Sequence, residues 1–454
     1  MRAAIIGAGP SGFYAAGMLL NAGFAVDLYD VLPTPFGLVR AGVAPDHPNI
    51  KAVTRVFDKT ARHADFRFFG GVELGRDITR AELLERYHAV VYALGTSDDN
   101  RLGIPGEDLP GSHAATRFVA WYNGHPHHAD HEYDLSVQGA VVIGNGNVAI
   151  DVARMLVLPP EELHATDVAD HAIEVLEGSQ LEEVVLLGRR GPVQAAFTNP
   201  ELRELGELTR AHVVVDPGDV ELDAASEEIL ATADVTVTRN VEILRGYAAR
   251  GGAEAGGQGS QRPQRVVLKF LRSPIALLGD GRVEAVRVAV NRLEAGADGR
   301  LQAIPTGEEE ELACGLVIRS IGYRGVEIPG VPFDARRGLI RNLGGRVVDE
   351  AGAPLTGEYA VGWIKRGPSG VIGTNKKDAA DTVARMLEDR DVGRLATPEL
   401  EPSEDWVLGK APKAVSWSGW ANIDAHETGL GEGLGRPRVK LVRSAELHDV
   451  ARRR

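Results

Sequence analysis

The chain has 454 residues, with 44% hydrophobic and 25% charged side chains, the balance of an ordinary globular protein long enough for two or three domains. Its formal charge of −14 argues against a nucleic-acid partner, which needs clustered Lys and Arg. The single cysteine, Cys314, excludes an intrachain disulfide, a Cys-x-x-Cys dithiol centre and an iron–sulfur cluster held by four thiolates of this chain. Cys314 is expected as a small buried strand residue, and no metal ligands are assigned. The first strand-like run begins at residue 3 and leaves no room for a secretory leader. No apolar run approaches the ~20 residues that span a bilayer. A cytoplasmic protein without a membrane span is expected.

Residues 3–30 read as strand, glycine turn, helix and strand. Ala3-Ala4-Ile5-Ile6 runs into Gly7-Ala8-Gly9-Pro10-Ser11-Gly12. A helix is predicted from Phe13 to Ala22, with Gly23 as its terminating glycine. The next strand, Ala25 to Tyr29, ends at Asp30. Leu32 to Pro48 contains four prolines and two glycines, too many to continue as helix or central strand. A structured loop of this length is more often functional than incidental. Residues 88–95 give an apolar strand. A second strand–turn–helix unit follows, Ala140-Val141-Val142-Ile143 into Gly144-Asn145-Gly146-Asn147-Val148-Ala149. Its distal strand, Glu183 to Leu187, runs into Gly188-Arg189-Arg190. Residues 251–264 read as a glycine-rich flexible loop. Alternating runs at 265–271 and 283–292 flank Gly279-Asp280-Gly281, a hairpin signal. Strands are predicted at 316–323 and 358–363, and a helix from Thr374 past Met386. The Pro/Gly-rich stretch 400–454, with Trp406, Trp417 and Trp420, is expected to wrap over the first domain. The fold class is α/β: two Rossmann-like, three-layer dinucleotide-binding domains, the second inserted into the first. The expected boundaries are 1–103 with 324–454, and 104–323.

Each glycine has a job. In Gly7-x-Gly9-x-x-Gly12 the first makes the tight turn, the second lets the backbone approach a pyrophosphate, and the third lets helix and strand pack closely. The anion then meets free N–H groups at the helix N-terminus. Asp30 stands where an acid grips ribose hydroxyls. In the second unit Ala149 replaces the third glycine, a tolerated variant. Its distal strand ends not in an acid but in Arg189-Arg190, and two guanidinium groups there suit a 2′-phosphate. That points to NADP rather than NAD. Two such units in one chain suggest two nucleotide cofactors between which electrons pass.

With these motifs in view, the chain resembles the adrenodoxin-reductase-like, bacterial-type NADPH:ferredoxin reductases. The resemblance is carried by Leu32 to Pro48, Ile104 to Asp108, Gly144 to Ala149, Gly188 to Pro192 and Gly362-Trp363-Ile364-Lys365-Arg366-Gly367-Pro368. It implies FAD in the first domain and NADP in the second. It places Gly7, Gly9, Ser11, Gly12, Asp30, Leu38 and Val72 at flavin-site positions, with Asp30 where the family usually has Glu. Trp363, Gly370, Val371 and Ile372 match the segment along the flavin ring. Asn145, Gly146, Asn147, Val148, Arg189, Arg190 and Glu201 match NADP positions, as does Arg101 with a one-residue uncertainty in alignment. His47 matches a histidine near the flavin and Glu204 a glutamate near the nicotinamide, the two catalytic candidates. Histidine ordinarily titrates near neutral pH and so could manage a proton; the alternative is that His47 only orients its loop. The implied reaction is NADPH:ferredoxin oxidoreduction by a monomer, with a separate iron–sulfur ferredoxin as acceptor. Because such ferredoxins are acidic, a locally basic docking face is expected, with Arg203, Arg210, Arg239, Arg245, Lys376 and Lys377 as candidates. Two alternatives are a flavin-bearing electron-transfer subunit similar to the glutamate synthase small subunit, and a non-catalytic NADP-binding flavoprotein.

Overall fold

Uninterrupted runs of Ala, Val, Ile and Leu are the mark of parallel strands covered on both faces, and they form the two central sheets. The computed structural model describes residues 1–254, 264–297, 299–370 and 372–453. These divide into two compact units, Met1–Asn100 with Asn123–Ala129 and Gly322–Arg454, and Arg101–Tyr122 with Asp130–Ile321.

The first unit is built on a seven-stranded sheet. Arg2–Ile6 lies at its centre, parallel to Ala25–Asp30 on one side and Ala89–Tyr92 on the other. Phe66–Gly70 extends the first side and Pro354–Ala360 the second, both parallel. Arg346–Val348 and Asn342–Leu343 add an antiparallel edge. The helix Pro10–Asn21 follows the first strand and buries Phe13, Ala15, Ala16 and Leu19. Gly23, at φ +82°, ends it as expected. The Leu32–Pro48 stretch is not entirely irregular: Leu38–Ala41 forms one helical turn, and Pro48–Lys51 starts another at its far end. Proline at the first position of the second turn fits a helix start rather than a break.

The C-terminal stretch folds as three helices, Glu404–Lys410, Trp417–Glu432 and Ser444–Ala451. Ser403 and Ser416 cap the first two by accepting backbone N–H bonds from Trp406 and Gly419. Trp417 and Trp420 enter the same core as Phe13 and Phe36.

The second unit has a six-stranded, all-parallel sheet in the order Ser112–Ala114, Leu316–Arg319, Gly139–Ile143, Glu183–Leu187, Gln264–Lys269, Ala211–Val215. The predicted hairpin around Gly279–Gly281 exists, but its first strand is Arg272–Leu278, paired antiparallel with Ala285–Ala295. The run from 265 belongs instead to the parallel sheet, and Leu271, at φ +57°, turns the chain between the two. Leu301–Ala313 completes a three-stranded antiparallel sheet. Cys314 lies just past that strand, and burial pushes its thiol up to about 12. The predicted strand at 316–323 stops at Arg319, and the predicted helix near Thr374 is Ile372–Asp391. The 251–264 stretch falls mostly outside the described residues; its first residues end the helix Val235–Glu254. Among the described residues no helix is long and apolar enough to cross a membrane.

Candidate functional site: two glycine turns

In the first unit, Gly7 sits at φ +111°, and a Cβ there would collide with the Ala93 carbonyl oxygen. A Cβ on Gly12 would overlap the Gly7 carbonyl. Both glycines are thus required by the protein itself. Gly9 is different: a Cβ there would have no atom of the described residues within 4 Å. Neither protein packing nor left-handed backbone, its φ being −79°, calls for glycine. The second unit repeats this. Gly144 is at φ +141° and blocked by the Ser320 carbonyl, whereas a Cβ on Gly146 again faces nothing among the described residues within 4 Å. Gly9 and Gly146 each precede a helix, Pro10–Asn21 and Asn147–Val157, with no side-chain cap and no acid in the first turn. Some helix starts elsewhere in the chain are capped by a side chain, those at Thr79, Asp223, Ser403 and Ser416 among them, and others are not. Uncapped N–H groups beside open space at a glycine fit the pyrophosphate of a dinucleotide.

Asp30, at the end of Ala25–Asp30, turns its carboxylate onto the loop. Oδ2 accepts the Ala8 N–H at 2.7 Å and Oδ1 the Leu32 N–H at 2.8 Å. Burial pushes its pKa up to about 6, the two N–H donors pulling the other way. The Phe36 N–H donates to the Ala8 carbonyl at 2.8 Å, so the Pro/Gly loop is tied to the glycine turn. Phe36 is at φ +81°, a strained backbone for a bulky residue. Ser11 is buried, and Gly362 packs so closely on it that a Cβ would collide with Oγ. Leu38 is 43% exposed, unusual for leucine in this core-lined region, while Val72 is buried and donates its N–H to the Asp30 carbonyl. His47 is buried at the start of Pro48–Lys51, its N–H donating to the Ala44 carbonyl and its Nε2 4.0 Å from Asp46 Oδ1.

Gly362 starts the short helix Trp363–Arg366, and its N–H donates to Asp378 Oδ2 at 2.5 Å. Lys365 Nζ reaches the other Asp378 oxygen at 2.9 Å. The Trp363 ring lies 5.9 Å from that of Tyr323. Its buried Nε1 donor has no acceptor among the described residues, which fits a cofactor that supplies one. Gly370 is at φ +78° and Ile372 begins Ile372–Asp391; Val371 lies outside the described residues. Sequence reasoning passed over Phe36 and Asp378. Neither carries a local signal, since one is marked by backbone conformation and the other by burial against a glycine 16 residues away.

In the second unit, the Asn145 carbonyl accepts the Ala196 N–H, and Asn147 Oδ1 accepts that of Thr198. Val148 packs half-buried on the core. Arg189 is exposed and Arg190 half-buried. Among the described residues neither guanidinium has a carboxylate partner, although arginines elsewhere are extensively paired. Burial, then the neighbouring charge of Arg189, lowers the Arg190 pKa. Two uncompensated cations side by side suit an incoming dianion. Their carbonyls are fixed by the Asn291 side chain and the Leu271 N–H. Glu201 and Glu204 share the helix Asn199–Gly206. Glu204 pairs with buried Arg154 at 3.1 Å. Arg101 is taken up by Asp108, at 2.7 Å to each carboxylate oxygen.

These features are those of a protein with two dinucleotide-binding units. A family model described as pyridine nucleotide-disulphide oxidoreductase matches residues 1–205. The NADPH-ferredoxin reductase FprA of Mycobacterium tuberculosis is 50% identical over 460 residues, covering 98% of this chain and 97% of that one. The mitochondrial NADPH:adrenodoxin oxidoreductase of Homo sapiens is 45% identical over 453 residues, 98% of this chain and 90% of that one. The solved structure of Mycobacterium tuberculosis FprA in complex with NADPH matches with a TM-score of 0.92 and 48% identity, covering 99% of each chain. This chain belongs to the family of NADPH–ferredoxin and NADPH–adrenodoxin reductases.

Proposed function

We infer that this chain is an FAD-dependent NADPH:ferredoxin oxidoreductase. FAD, held by the first unit, would supply the chemistry that accepts a hydride from NADPH and passes single electrons on to a separate iron–sulfur ferredoxin. The observation that carries the reading is the pair of glycines, Gly9 and Gly146, that the packing of the described residues does not require and that each stand between a central parallel strand and an uncapped helix. One glycine of this kind would mark one nucleotide; two mark a donor and an acceptor.

The residues divide the work. Gly7, Gly9 and Gly12 with Ser11 would admit the FAD pyrophosphate, and Asp30, whose carboxylate holds the turn in shape, would meet the ribose. Leu38, Val72, Trp363, Gly370, Val371 and Ile372 would bound the flavin ring, Trp363 offering its indole N–H. Asn145, Gly146, Asn147 and Val148 would receive the NADP pyrophosphate, with Glu201 and Arg101 at its margins. Arg189 and Arg190 would hold the 2′-phosphate by charge-assisted bonds. His47 would hold or release a proton near the flavin, and Glu204, oriented by Arg154, would position the nicotinamide. The FAD-binding domain is assigned to 1–103 with 324–454, and the NADP-binding domain to 104–323. Arg203, Arg239, Arg245, Lys376 and Lys377 are exposed and Arg210 half-buried; they are the proposed docking cations for an acidic ferredoxin. A monomer needs no second copy for any of these roles.

The test is anaerobic mixing of the purified yellow protein with NADPH, followed by addition of a small iron–sulfur ferredoxin. Rapid bleaching and NADPH-dependent ferredoxin reduction are expected. A protein that binds both nucleotides but does not bleach is a non-catalytic flavoprotein, and the assignment fails.

A further inference from the structure

Arg40 lies midway along the loop that joins Asp30 to His47. Its guanidinium makes a two-pronged ion pair with Glu427, Nη1 to Oε2 at 2.8 Å and Nη2 to Oε1 at 2.6 Å. The partners are 387 residues apart, and the Glu427 side chain is wholly buried. The same guanidinium lies 5.4 Å over the Trp420 ring. The Arg40 carbonyl is held as well: Lys440 Nζ donates to it at 3.2 Å and also donates to Asn123 Oδ1 at 3.2 Å. One loop residue is thus gripped at side chain and backbone by the C-terminal segment.

Glu427 is fixed in its turn. Leu441 N–H donates to Oε1 at 2.8 Å and Arg438 Nη1 to Oε2 at 3.2 Å. Burial alone would raise the Glu427 carboxyl, but Arg40 and Arg438 more than reverse this, and it stands below the usual range. On the loop side, Ala41 N–H donates to the Gly37 carbonyl at 2.9 Å and Gly42 N–H to that of Leu38 at 2.8 Å. Gly37, Leu38 and Arg40 therefore belong to one closed turn. Phe36, just before it, packs edge-on against Trp417 and Trp420 with ring centroids 6.2 and 5.6 Å away, and ties back to Ala8 of the glycine turn.

A buried ion pair is a poor device for stability alone, because desolvation offsets the attraction and apolar replacements are often neutral. What two parallel N–H···O bonds give is orientation. We propose that Glu427, acting through Arg40, is a positioning residue of the flavin site, by which the C-terminal segment sets the turn that carries Leu38 and the strained Phe36 against the glycine turn. The proposal rests on the reading of this unit as the FAD-binding one.

The experiment uses full-length holoprotein and two variants. Glu427→Gln keeps the shape and removes the charge. The double variant Arg40→Met/Glu427→Met replaces the pair by apolar groups of similar length, and leaves Arg438 its bond to Asp424 at 2.8 Å. The double variant is expected to melt within a few degrees of the wild type, because the desolvation its apolar pair avoids offsets the acceptor that the Leu441 N–H loses. Its FAD affinity should fall about tenfold. Its flavin absorption and circular dichroism bands should shift. At saturating FAD its kcat should fall several-fold, with the KM for NADPH unchanged. Glu427→Asp, which keeps the carboxylate, should recover part of each effect relative to Glu427→Gln. If the double variant folds with native flavin bands, FAD affinity and kcat, the pair is merely structural and the proposal is overturned. If the wild type itself binds no FAD, the functional reading falls instead, a distinguishable outcome.

Discussion

The two glycine turns solve the same problem with different finishing residues. Both spend their first glycine on a left-handed turn against a neighbouring carbonyl, and both leave the middle glycine open. They part at the third position, where Gly12 lies against the Gly7 carbonyl while Ala149 is accommodated fully buried. They part again at the end of the following strand. There the first unit has an acid turned inward onto its own loop, and the second has two arginines without carboxylate partners among the described residues. On the proposed reading, the turn handles what dinucleotides share, the pyrophosphate, and the strand end handles what distinguishes them. That division can be broken one position at a time.

The largest effect is expected at the open glycines. Gly9→Val places branched atoms where the pyrophosphate should lie, yet its Cβ meets no atom of the described residues within 4 Å. FAD affinity should drop about 100-fold or more while the apoprotein melts normally and keeps its NADP affinity. Gly146→Val should do the reverse. Flavin content by absorbance and binding to immobilised adenosine 2′,5′-bisphosphate read the two sites separately. A Gly9→Val protein that is as yellow as wild type would refute the assignment of the first unit. Gly12→Ala, by contrast, must displace backbone and should cost about 1–3 kcal/mol of stability.

The strand ends come next. Replacing Arg189 and Arg190 by Ala removes charge-assisted bonds of about 1.5–3 kcal/mol each before coupling. The ratio of kcat/KM for NADPH over NADH should fall at least about tenfold, through KM more than kcat. An unchanged ratio would mean that the pair is only a solvated surface feature.

His47→Gln should be milder. Hydride transfer is cofactor chemistry, so FAD should stay bound and the rate of flavin reduction should fall by about tenfold or less, at or below the low end for a proton-transfer role. The pH profile of that rate should change with it, because a side chain that carries a proton in the wild type is removed. Stopped-flow reduction that matches wild type in both rate and pH profile would leave His47 as a loop-orienting residue.

The parts of this molecule that were legible in advance are those where one local rule decides. Apolar runs into Gly7 and Gly144 gave both strands, both turns and both helices, and Arg189-Arg190 stood out by sign alone. The start of the hairpin's first strand is not legible because Leu271 itself turns the chain with a non-glycine residue, and the nearest proline, Pro274, lies inside the next strand rather than at the turn. The C-terminal helices were hidden by a Pro/Gly-rich composition, although Ser403 followed by Glu404 and Asp405 is a helix-start signal. Asp378 and Glu427 were illegible for a different reason. A carboxylate in a polar segment reads as solvated, and only tertiary packing brings Gly362 to the first and Arg40 to the second.

The smallest effect tests whether Asp30 is strained by its inward turn. With its pKa raised to about 6 by burial, the folded state binds this proton more tightly than the unfolded chain, where Asp titrates near about 3.9. The stabilising contribution is therefore fully present below about pH 4 and lost as pH rises through about 6. At pH 7 the charged, buried carboxylate costs the FAD-free protein on the order of 2–3 kcal/mol. Other groups act in the opposite sense: burial lowers His113 to about 4 and His125 to about 3, so both oppose folding progressively as pH falls below the ordinary histidine range. Asp30 must be isolated by difference. In Asp30→Asn the side chain no longer titrates, and one of the Ala8 and Leu32 N–H groups loses its acceptor at every pH. The unfolding free energy of wild type minus variant should therefore grow as pH is lowered from 7 to 5. A difference that stays flat across that range would show that the carboxylate is not under strain, and that its hold on the loop costs the first unit nothing.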